Sequence, residues 1–332
     1  MAKNISMTSI AFEHVVKRFP GSSAPAVDDV TFTVPAGAIC MLLGTSGSGK
    51  TTLLRMVNRL SDPTSGRVAI DDVPTVAQDP IALRRRIGYV IQQVGLLPHL
   101  TVAENVGIVP AITGDRSTTI QRRVDELLEL VGLPPGEYRK RYPAQLSGGQ
   151  AQRVGLARSL AANPSVLLMD EPFGALDAIT RQRMQDELRQ IQREMRKTIL
   201  FVTHDVDEAF RLGDCIAVLS AGRLEQFGTP VDLLTAPATP FVNQLVGADN
   251  ILRQFEYLPV TAALEPAIQI DDATERIPAG ETLLGAMLRL LESGHPALAV
   301  EADGQIQGTI SLTSISRAVR GQAVLAPELG RR

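Results

Sequence analysis

The chain has 332 residues, 44% of them hydrophobic, and its 33 Lys and Arg against 36 Asp and Glu give a formal net charge of −3. This length predicts about two domains, and the near balance of charge argues against nucleic acid as a partner. The first ten residues contain no apolar signal segment, and no stretch approaches the ~18 consecutive apolar residues of a membrane span. Cys40 and Cys215 lie in apolar runs without metal-ligand spacing, which indicates buried thiols in a reducing compartment.

Residues 8–236 alternate β-like apolar runs with helical patterns, which predicts an α/β domain with a largely parallel sheet. We expect the first helix of this domain at Thr51–Leu60, stopped before Pro63. The expected buried strands are Ile39–Leu43, Gly88–Ile91, Val166–Asp170, Thr198–Thr203 and Cys215–Leu219.

Residues 95–162 instead carry mostly helical patterns. Thr101 and Glu104 match a capping box at a helix start. Apolar residues at helical spacing predict a further helix at Thr118–Val131, with Gly132 as a stop signal. We interpret this segment as a helical subdomain inserted into the α/β core.

An Ala-Pro-Thr-rich stretch near residues 236–240 suggests a domain boundary, followed by a linker at 237–262. Residues 323–332 are expected to form a frayed tail. The segment before it, residues 263–322, predicts a small α+β unit of order β-α-β-β-α. Its expected elements are a helix at Glu281–Glu292, strands at Leu298–Val300 and Gln307–Ser311 joined through the turn Asp303-Gly304, and a closing helix at Thr313–Val319.

A phosphate-binding pattern, G-x-x-x-x-G-K-[ST], follows the first expected strand and opens the first expected helix. Its residues are Gly44, Thr45, Ser46, Gly47, Ser48, Gly49, Lys50 and Thr51, with Thr52 next in the helix. Glycines let backbone N–H groups turn toward phosphate oxygens, and the helix presents its positive end to them. Lys50 would charge-pair with the β- and γ-phosphates, and the Thr51 hydroxyl would ligate Mg²⁺. In this context the pattern predicts a site for ATP and Mg²⁺ rather than a chance glycine turn.

Two acids end the apolar run Val166–Asp170. Asp170 at the strand tip can hold Mg²⁺, directly or through water. Glu171, which follows it, is a candidate general base for water that attacks the γ-phosphate. Alone, such a pair would more often be a solvated turn or a helix cap.

The pentapeptide Leu146–Gln150 precedes another helical run. Ser147 can cap that helix, and Gly148 and Gly149 leave its first N–H groups accessible, which makes a second anion site. The local alternative is a plain N-cap with a flexible entry.

The LSGGQ pentapeptide together with the phosphate loop resembles the nucleotide-binding subunit of ATP-binding cassette (ABC) transporters, over about residues 8–236. The resemblance implies that Phe19 stacks on adenine, and that Gln92 senses Mg²⁺ and the attacking water. It also implies that Asp177 belongs to the D-loop, a loop that follows the acid pair in members of this family. It implies as well that His204 contacts the γ-phosphate. Gln93 is adjacent to Gln92, but the spacing to Pro98 and His99 favours Gln92. In isolation, Phe19 and Gln93 would more often be structural, and a strand-end histidine like His204 would usually be only hydrogen-bonded.

The same resemblance implies a head-to-tail pairing with a second copy of the chain. Ser147, Gly148, Gly149 and Gln150 of one copy would then cap the ATP held by Lys50 of the other. Segment 93–110 would receive integral membrane permease subunits, and an extracytoplasmic solute-binding protein would deliver the solute. The chain would work peripherally, at the cytoplasmic face of the cell membrane.

Residues 87–99 and 246–252 resemble the ATPases of osmoprotectant uptake systems for glycine betaine, choline and related quaternary amines. Residues 277–317 resemble a single CBS motif, where a pair is the usual arrangement. That motif could pair with its copy in a second subunit or serve only as a packing appendage. Three alternatives remain open: the same motor for an amino acid or an anion, a soluble non-transport ABC ATPase, and a nucleotide-sensing regulator.

Overall fold

The computed structural model describes residues 8–91, 95–174, 176–266 and 274–325, with backbone alone for 320–325. The chain forms two compact units that divide between Phe227 and Gly228. This division lies earlier than the expected boundary near residue 236. The expected linker at 237–262 in fact contains helices, because Thr239 accepts a hydrogen bond as an N-cap and Pro240 occupies the first helical turn.

The strands of the described residues form three sheets. They are β1 Ile10–Lys17, β2 Val27–Val34, β3 Ile39–Gly44, β4 Ser65–Ile70, β5 Val73–Pro74, β6 Ile87–Val90, β7 Val166–Asp170, β8 Thr198–Thr203, β9 Cys215–Ser220, β10 Arg223–Gly228, β11 Arg276–Pro278, β12 Leu298–Ala302 and β13 Gln305–Ile310.

The helices of the same residues lie between these strands. They are α1 Lys50–Val57, α2 Pro80–Arg85, α3 Val102–Thr113, α4 Ser117–Leu130, α5 Pro135–Tyr138, α6 Gly148–Leu160, α7 Ala178–Met195, α8 Val206–Leu212, α9 Pro230–Thr235, α10 Pro240–Val246, α11 Ile251–Tyr257, α12 Leu283–Ser293 and α13 Leu312–Leu325. No helix in the described ranges is long and apolar enough to cross a membrane.

A six-stranded sheet of order β10-β9-β3-β8-β7-β6 forms the centre of the first unit. Strands β9, β3, β8, β7 and β6 are parallel neighbours, which confirms the predicted α/β class. All six residues of β3 are buried, as expected for a strand covered on both faces. Because parallel strands end at one edge, the residues after β3, β7 and β8 come together there.

Cys40 on β3 and Cys215 on β9 are register partners in this sheet. Both thiols are free and buried, which confirms the expected burial of both side chains. Burial, together with the neighbouring Cys215, raises the pKa of the Cys40 thiol well above its usual value.

The helical subdomain is present between β6 and β7, as α3 to α6. At its start Thr101 and Glu104 form the predicted capping box, in which the Thr101 N–H donates to Glu104 Oε2 over 2.7 Å. Helix α4 buries Val124, Leu127 and Leu128 on the face that the apolar spacing predicted.

The first helix ends earlier than the sequence predicts, at Val57 rather than Leu60. Arg59 adopts a left-handed φ of 56°, so the helix cannot continue through it. The Arg84 guanidinium fixes this exit, because its Nε and Nη2 donate to the carbonyls of Asn58 and Arg59 over 3.0 and 2.6 Å. A contact so distant in sequence leaves no local signal.

In the second unit, a three-stranded sheet of order β11-β12-β13 packs with α12 and α13, in the predicted β-α-β-β-α order. The turn between β12 and β13 has positive φ at both Asp303 and Gly304, at 51° and 75°, as the Asp-Gly pair predicts. Helix α13 runs to Leu325, so the chain stays helical beyond the expected end at Val319.

Candidate functional site

The phosphate loop follows β3 and is shaped by glycines at positive φ. Gly44, Gly47 and Gly49 have φ of 152°, 77° and 97°. A Cβ on Gly44 would lie 2.1 Å from the Leu219 carbonyl oxygen, and one on Gly49 would lie 2.5 Å from that of Ala26. The loop backbone therefore occupies space that no side chain could share, while Thr45, Ser46 and Gly47 are exposed at its crest.

Lys50 begins α1 and folds back over this loop. Its ammonium donates to the carbonyls of Gly44 and Thr45, each over 2.8 Å, and the side chain is buried. Burial lowers the pKa of Lys50, and the nearby carboxylates of Glu171 and Asp170 oppose that shift. The cation is thus held at the loop mouth, where phosphate oxygens could replace the two carbonyls as acceptors.

The positive end of α1 faces the same loop. Its N-cap residue is Gly49, whose lack of a side chain leaves the first-turn N–H groups without a side-chain acceptor. These groups, beside Thr51 and Thr52, are the donors that a bound phosphate uses at a helix N-terminus. The geometry of the loop, the lysine and the helix end therefore suits a polyphosphate.

Thr51 and Asp170 meet beside the loop. The Thr51 hydroxyl donates to Asp170 Oδ1 over 2.9 Å. Burial raises the pKa of Asp170, while the Thr51 hydrogen bond and then the Arg55 charge oppose the shift. A hydroxyl and a carboxylate are the hard oxygen ligands that Mg²⁺ prefers, so this pair fits the ion.

Glu171 and His204 come together from the ends of β7 and β8. The Glu171 N–H donates to the Val202 carbonyl over 3.0 Å, and its φ of 46° turns the chain sharply after Asp170. Its carboxylate Oε1 lies 3.3 Å from His204 Nδ1. A left-handed glutamate is uncommon and is tolerated where the surroundings hold it, as at many active sites.

The signature segment caps α6 through a reciprocal box. The Gln150 N–H donates to Ser147 Oγ over 3.3 Å, and the Ser147 N–H donates to Gln150 Oε1 over 2.9 Å. Gln150 Nε2 also reaches the Tyr138 hydroxyl over 3.1 Å. None of these bonds, among the described residues, reaches the phosphate loop. Gly148 has open space where a Cβ would be, so the helix end is accessible.

The remaining predicted residues are Phe19, Asp177 and Gln92. The ring of Phe19 is 46% exposed, and the Lys17 ammonium lies 5.2 Å from its centroid. Asp177 caps α7 by accepting from the Thr180 N–H over 3.0 Å, a bond that lowers its pKa. Gln92 lies outside the described residues.

Sequence reasoning missed two residues around Asp170. Burial raises the pKa of Asp170, and Arg55, one turn after Thr51 on α1, partly opposes that shift; Asp170 in turn adds to the burial that raises the pKa of Tyr89. The only available signal for Tyr89 was a hydroxyl-bearing ring in an otherwise apolar strand beside β7.

Comparisons with known proteins agree with this geometry. Residues 27–174 match the family described as ABC transporter. The choline transport ATP-binding protein OpuBA of Bacillus subtilis is 40% identical over 321 residues, which cover 96% of this chain and 82% of that protein. The carnitine transport ATP-binding protein OpuCA of Listeria monocytogenes is 48% identical over 243 residues, 73% of this chain. The chain spans only 61% of the length of this second relative.

Among solved structures, a dimeric ATP-binding cassette in a post-hydrolysis state, bound to ADP and Pi, has a TM-score of 0.60 at 34% identity. The alignment covers 66% of this chain and 98% of that cassette. The phosphate loop, the acid pair after β7 and these similarities lead to one conclusion: the chain belongs to the ABC transporter family of ATP-binding proteins.

Proposed function

We propose that this chain hydrolyses ATP to drive uptake of a small solute of the quaternary-amine osmoprotectant class, such as glycine betaine or choline. The observation that carries the proposal is the convergence of Lys50, Thr51, Asp170, Glu171 and His204 at one edge of the parallel sheet. The alignment to a choline transport protein extends over 96% of the chain, well beyond the nucleotide site, which supports the solute class.

Each residue has a distinct task in hydrolysis. Lys50 and the N–H groups of the loop bind the phosphates and draw charge away from the γ-phosphate as water attacks. Thr51 Oγ1 and Asp170 Oδ1, together with Gln92, would hold Mg²⁺ beside them. That ion, when bound, neutralises charge on the β- and γ-phosphates and orients them.

Glu171 is the proton acceptor in this scheme. The Glu171 side chain is 24% exposed, so a water molecule can reach its carboxylate. The preceding residue in the chain is Asp170. His204, 3.3 Å away and 64% exposed, fixes the direction of the carboxylate and faces the position of the departing phosphate. A base within hydrogen-bond reach of the attacking water is the first requirement of this chemistry.

A second copy of the chain completes the site in this proposal. Ser147 and Gln150 bond to each other, and Gln150 also bonds to Tyr138, so their helix end stays available to an anion from another subunit. The cassette bound to ADP and Pi is itself a dimer, which supports the same arrangement here. Asp177, at the start of α7, would lie at this interface.

The proposed docking place for the permease subunits is a cavity of about 340 Å³ between the core and the helical subdomain. Its lining includes Tyr89 of β6, Leu97, and Ile108 and Val109 of α3. This cleft, whose wall also includes Arg84, Arg85 and Arg158, adjoins the predicted docking segment 93–110 and suits a short helix from a membrane subunit. The chain would then sit at the cytoplasmic face, with a solute-binding protein on the far side.

Replacement of Glu171 by Gln tests the catalytic assignment. The amide keeps the shape of the side chain but cannot accept the proton, so ATP should still bind while hydrolysis stops. An ATP-bound dimer should accumulate on size-exclusion chromatography. Lys50→Ala should instead lose affinity for ATP, and Glu129→Gln on the exposed face of α4 should change neither property.

Uptake measurements on the same variants separate the two parts of the proposal. Cells that depend on this chain should lose choline or glycine betaine uptake with Glu171→Gln. Normal hydrolysis by Glu171→Gln would remove this residue from its role. Lost hydrolysis with unchanged quaternary-amine uptake would keep the ATPase and point to another solute, such as an amino acid or an anion.

Mixed dimers test the shared site. A subunit with Ser147→Arg and a subunit with Lys50→Ala place both lesions in the same composite pocket, which leaves the other pocket intact. Verified heterodimers should recover about half of the activity, whereas each homodimer should be inactive. Inactive heterodimers would exclude the head-to-tail arrangement.

A further inference from the structure

A cavity of about 1070 Å³ in the first unit is rich in positive charge. It lies between the helical subdomain and the core. Six cationic side chains line it together with two acidic ones: Arg85, Arg86, Arg122, Arg123, Arg196 and Lys197, with Asp115 and Glu126. The whole chain carries a formal charge of −3, so this concentration of cations is local.

The cavity lies at the opposite edge of the sheet from the nucleotide site. Arg86, Ser165 and Lys197 immediately precede β6, β7 and β8, whereas Asp170 and the phosphate loop follow strand ends. Strand β7 alone, at about 3.3 Å per residue, separates the two edges by roughly 15 Å. An anion in this cavity would therefore not be the phosphate chain held by Lys50.

The two acidic groups neutralise only part of the charge. Glu126 is shared, since its two oxygens each lie 3.6 Å from an arginine, Arg122 or Arg123. Among the described residues, Arg85, Arg86 and Arg196 form no ion pair with an acidic side chain.

Lys197 adds a buried cation to the wall. Its side chain is 8% exposed, and its ammonium donates to the neutral Asn163 Oδ1 over 2.9 Å. Burial and then the charge of Arg123 lower the pKa of Lys197. Two like charges are therefore held close together, and a bound anion would relieve their repulsion.

The first turn of α4 also adds positive charge to the cavity. Its N-cap position is Arg116, which provides no side-chain acceptor, and Thr119 of this turn lines the cavity. The helix has 14 residues, so its N-terminal amides present a partial positive charge. Of the two acids in the lining, Asp115 precedes this helix start, and Glu126 lies further along the helix.

We propose that this cavity binds a soluble polyanion that carries phosphate groups, in the size range of pyrophosphate to a nucleoside polyphosphate. Arginine forks from α4 and from the end of α7 would hold separate phosphate groups, because guanidinium matches phosphate in a bidentate way. The buried position of Lys197 favours a compact ligand that enters the cavity over a flat lipid surface that covers it.

Inorganic pyrophosphate is the probe for this site. The full-length chain with Lys50→Ala, in which the phosphate loop is weakened, should bind pyrophosphate in a calorimetric titration at low ionic strength. Arg122→Gln combined with Arg196→Gln should weaken this binding about tenfold, since two charge-assisted contacts are lost. Added salt should weaken the binding as well, because screening shortens to about 10 Å at 0.1 M.

The matched control removes two cations outside the cavity. Arg183 and Arg193 are also exposed on the same unit, and Arg183 stands four residues before Glu187 as Arg122 does before Glu126. Arg183→Gln with Arg193→Gln should leave pyrophosphate binding unchanged. Arg122→Lys with Arg196→Lys should retain binding, which guards against a folding defect in the glutamine variant.

Three results would overturn the proposal. One is the absence of pyrophosphate binding by the Lys50→Ala chain. Another is equal weakening by the cavity and the control variants, which would indicate a general charge effect. The third is binding to phosphatidylglycerol vesicles that needs Arg122 and Arg196 without any pyrophosphate binding, which would assign the surface to lipid headgroups.

Discussion

Alanine at position 44 should destabilise the chain far more than alanine at position 47. The Cβ of Gly44→Ala would lie 2.1 Å from the Leu219 carbonyl oxygen and 2.9 Å from Ser48 Oγ. The first of these is a backbone atom of β9, paired in register with Gly44, so it cannot rotate away. The φ of 152° adds strain for any residue with a Cβ.

The size of the effect follows from these two contributions. Forcing a methyl group into a filled space costs about 1–3 kcal/mol, and the backbone strain costs about as much again. We expect Gly44→Ala to lower the free energy of unfolding by about 4 kcal/mol. Gly47→Ala has a φ of 77° but no atom within 4 Å of the new Cβ, so only strain of about 1–2 kcal/mol applies.

Urea unfolding without nucleotide measures this difference, so that any change in ATP affinity does not contribute. The chain has no tryptophan, and far-UV circular dichroism is therefore the suitable signal. The wild type and both variants should be compared at one temperature. Equal losses for Gly44→Ala and Gly47→Ala would refute the claim that the carbonyl of Leu219 is what excludes a side chain at position 44.

Two further predictions concern other parts of the chain. Burial raises the pKa of Glu208, so the folded carboxyl keeps its proton to higher pH than the unfolded one and stability falls as pH rises from about 4.3 through the raised value. The midpoint of urea unfolding of Glu208→Gln, relative to that of the wild type, should therefore rise as pH rises through that window. A difference between the two midpoints that does not change with pH would contradict this prediction. A chain truncated after about Val246, within the second unit, should still hydrolyse ATP, because every proposed ATP residue precedes this point; loss of ATPase activity in a truncated chain that still folds would contradict that assignment.

The parts of the site that the sequence predicts are those determined by neighbours in the chain. The phosphate loop and the Ser147 cap depend on spacing within a few residues, and both are found where expected. The left-handed φ of Glu171 and its approach to His204 depend on the pairing of β7 with β8, about thirty residues apart along the chain. Local patterns do not encode such a pairing.

The two wrong boundaries have different causes. The end of α1 is decided by Arg84, which reaches the chain from another helix. The Ala-Pro-Thr-rich composition near residue 240 suggests a boundary, but proline also starts helices after a capping residue such as Thr239. That start depends on a local cap, in which Thr239 accepts from the Val242 N–H.

The buried thiols of Cys40 and Cys215 allow the opening of the central sheet to be measured by chemical labelling. A thiol reacts with maleimide only as an exposed thiolate, and both side chains are buried in the hydrophobic core that packs on the sheet. Labelling must therefore wait for an opening of the central sheet, so its rate under native conditions reports the free energy of that opening. The rate of this opening can thus be measured with and without ATP on the chain's own thiols, and no cysteine has to be introduced by substitution.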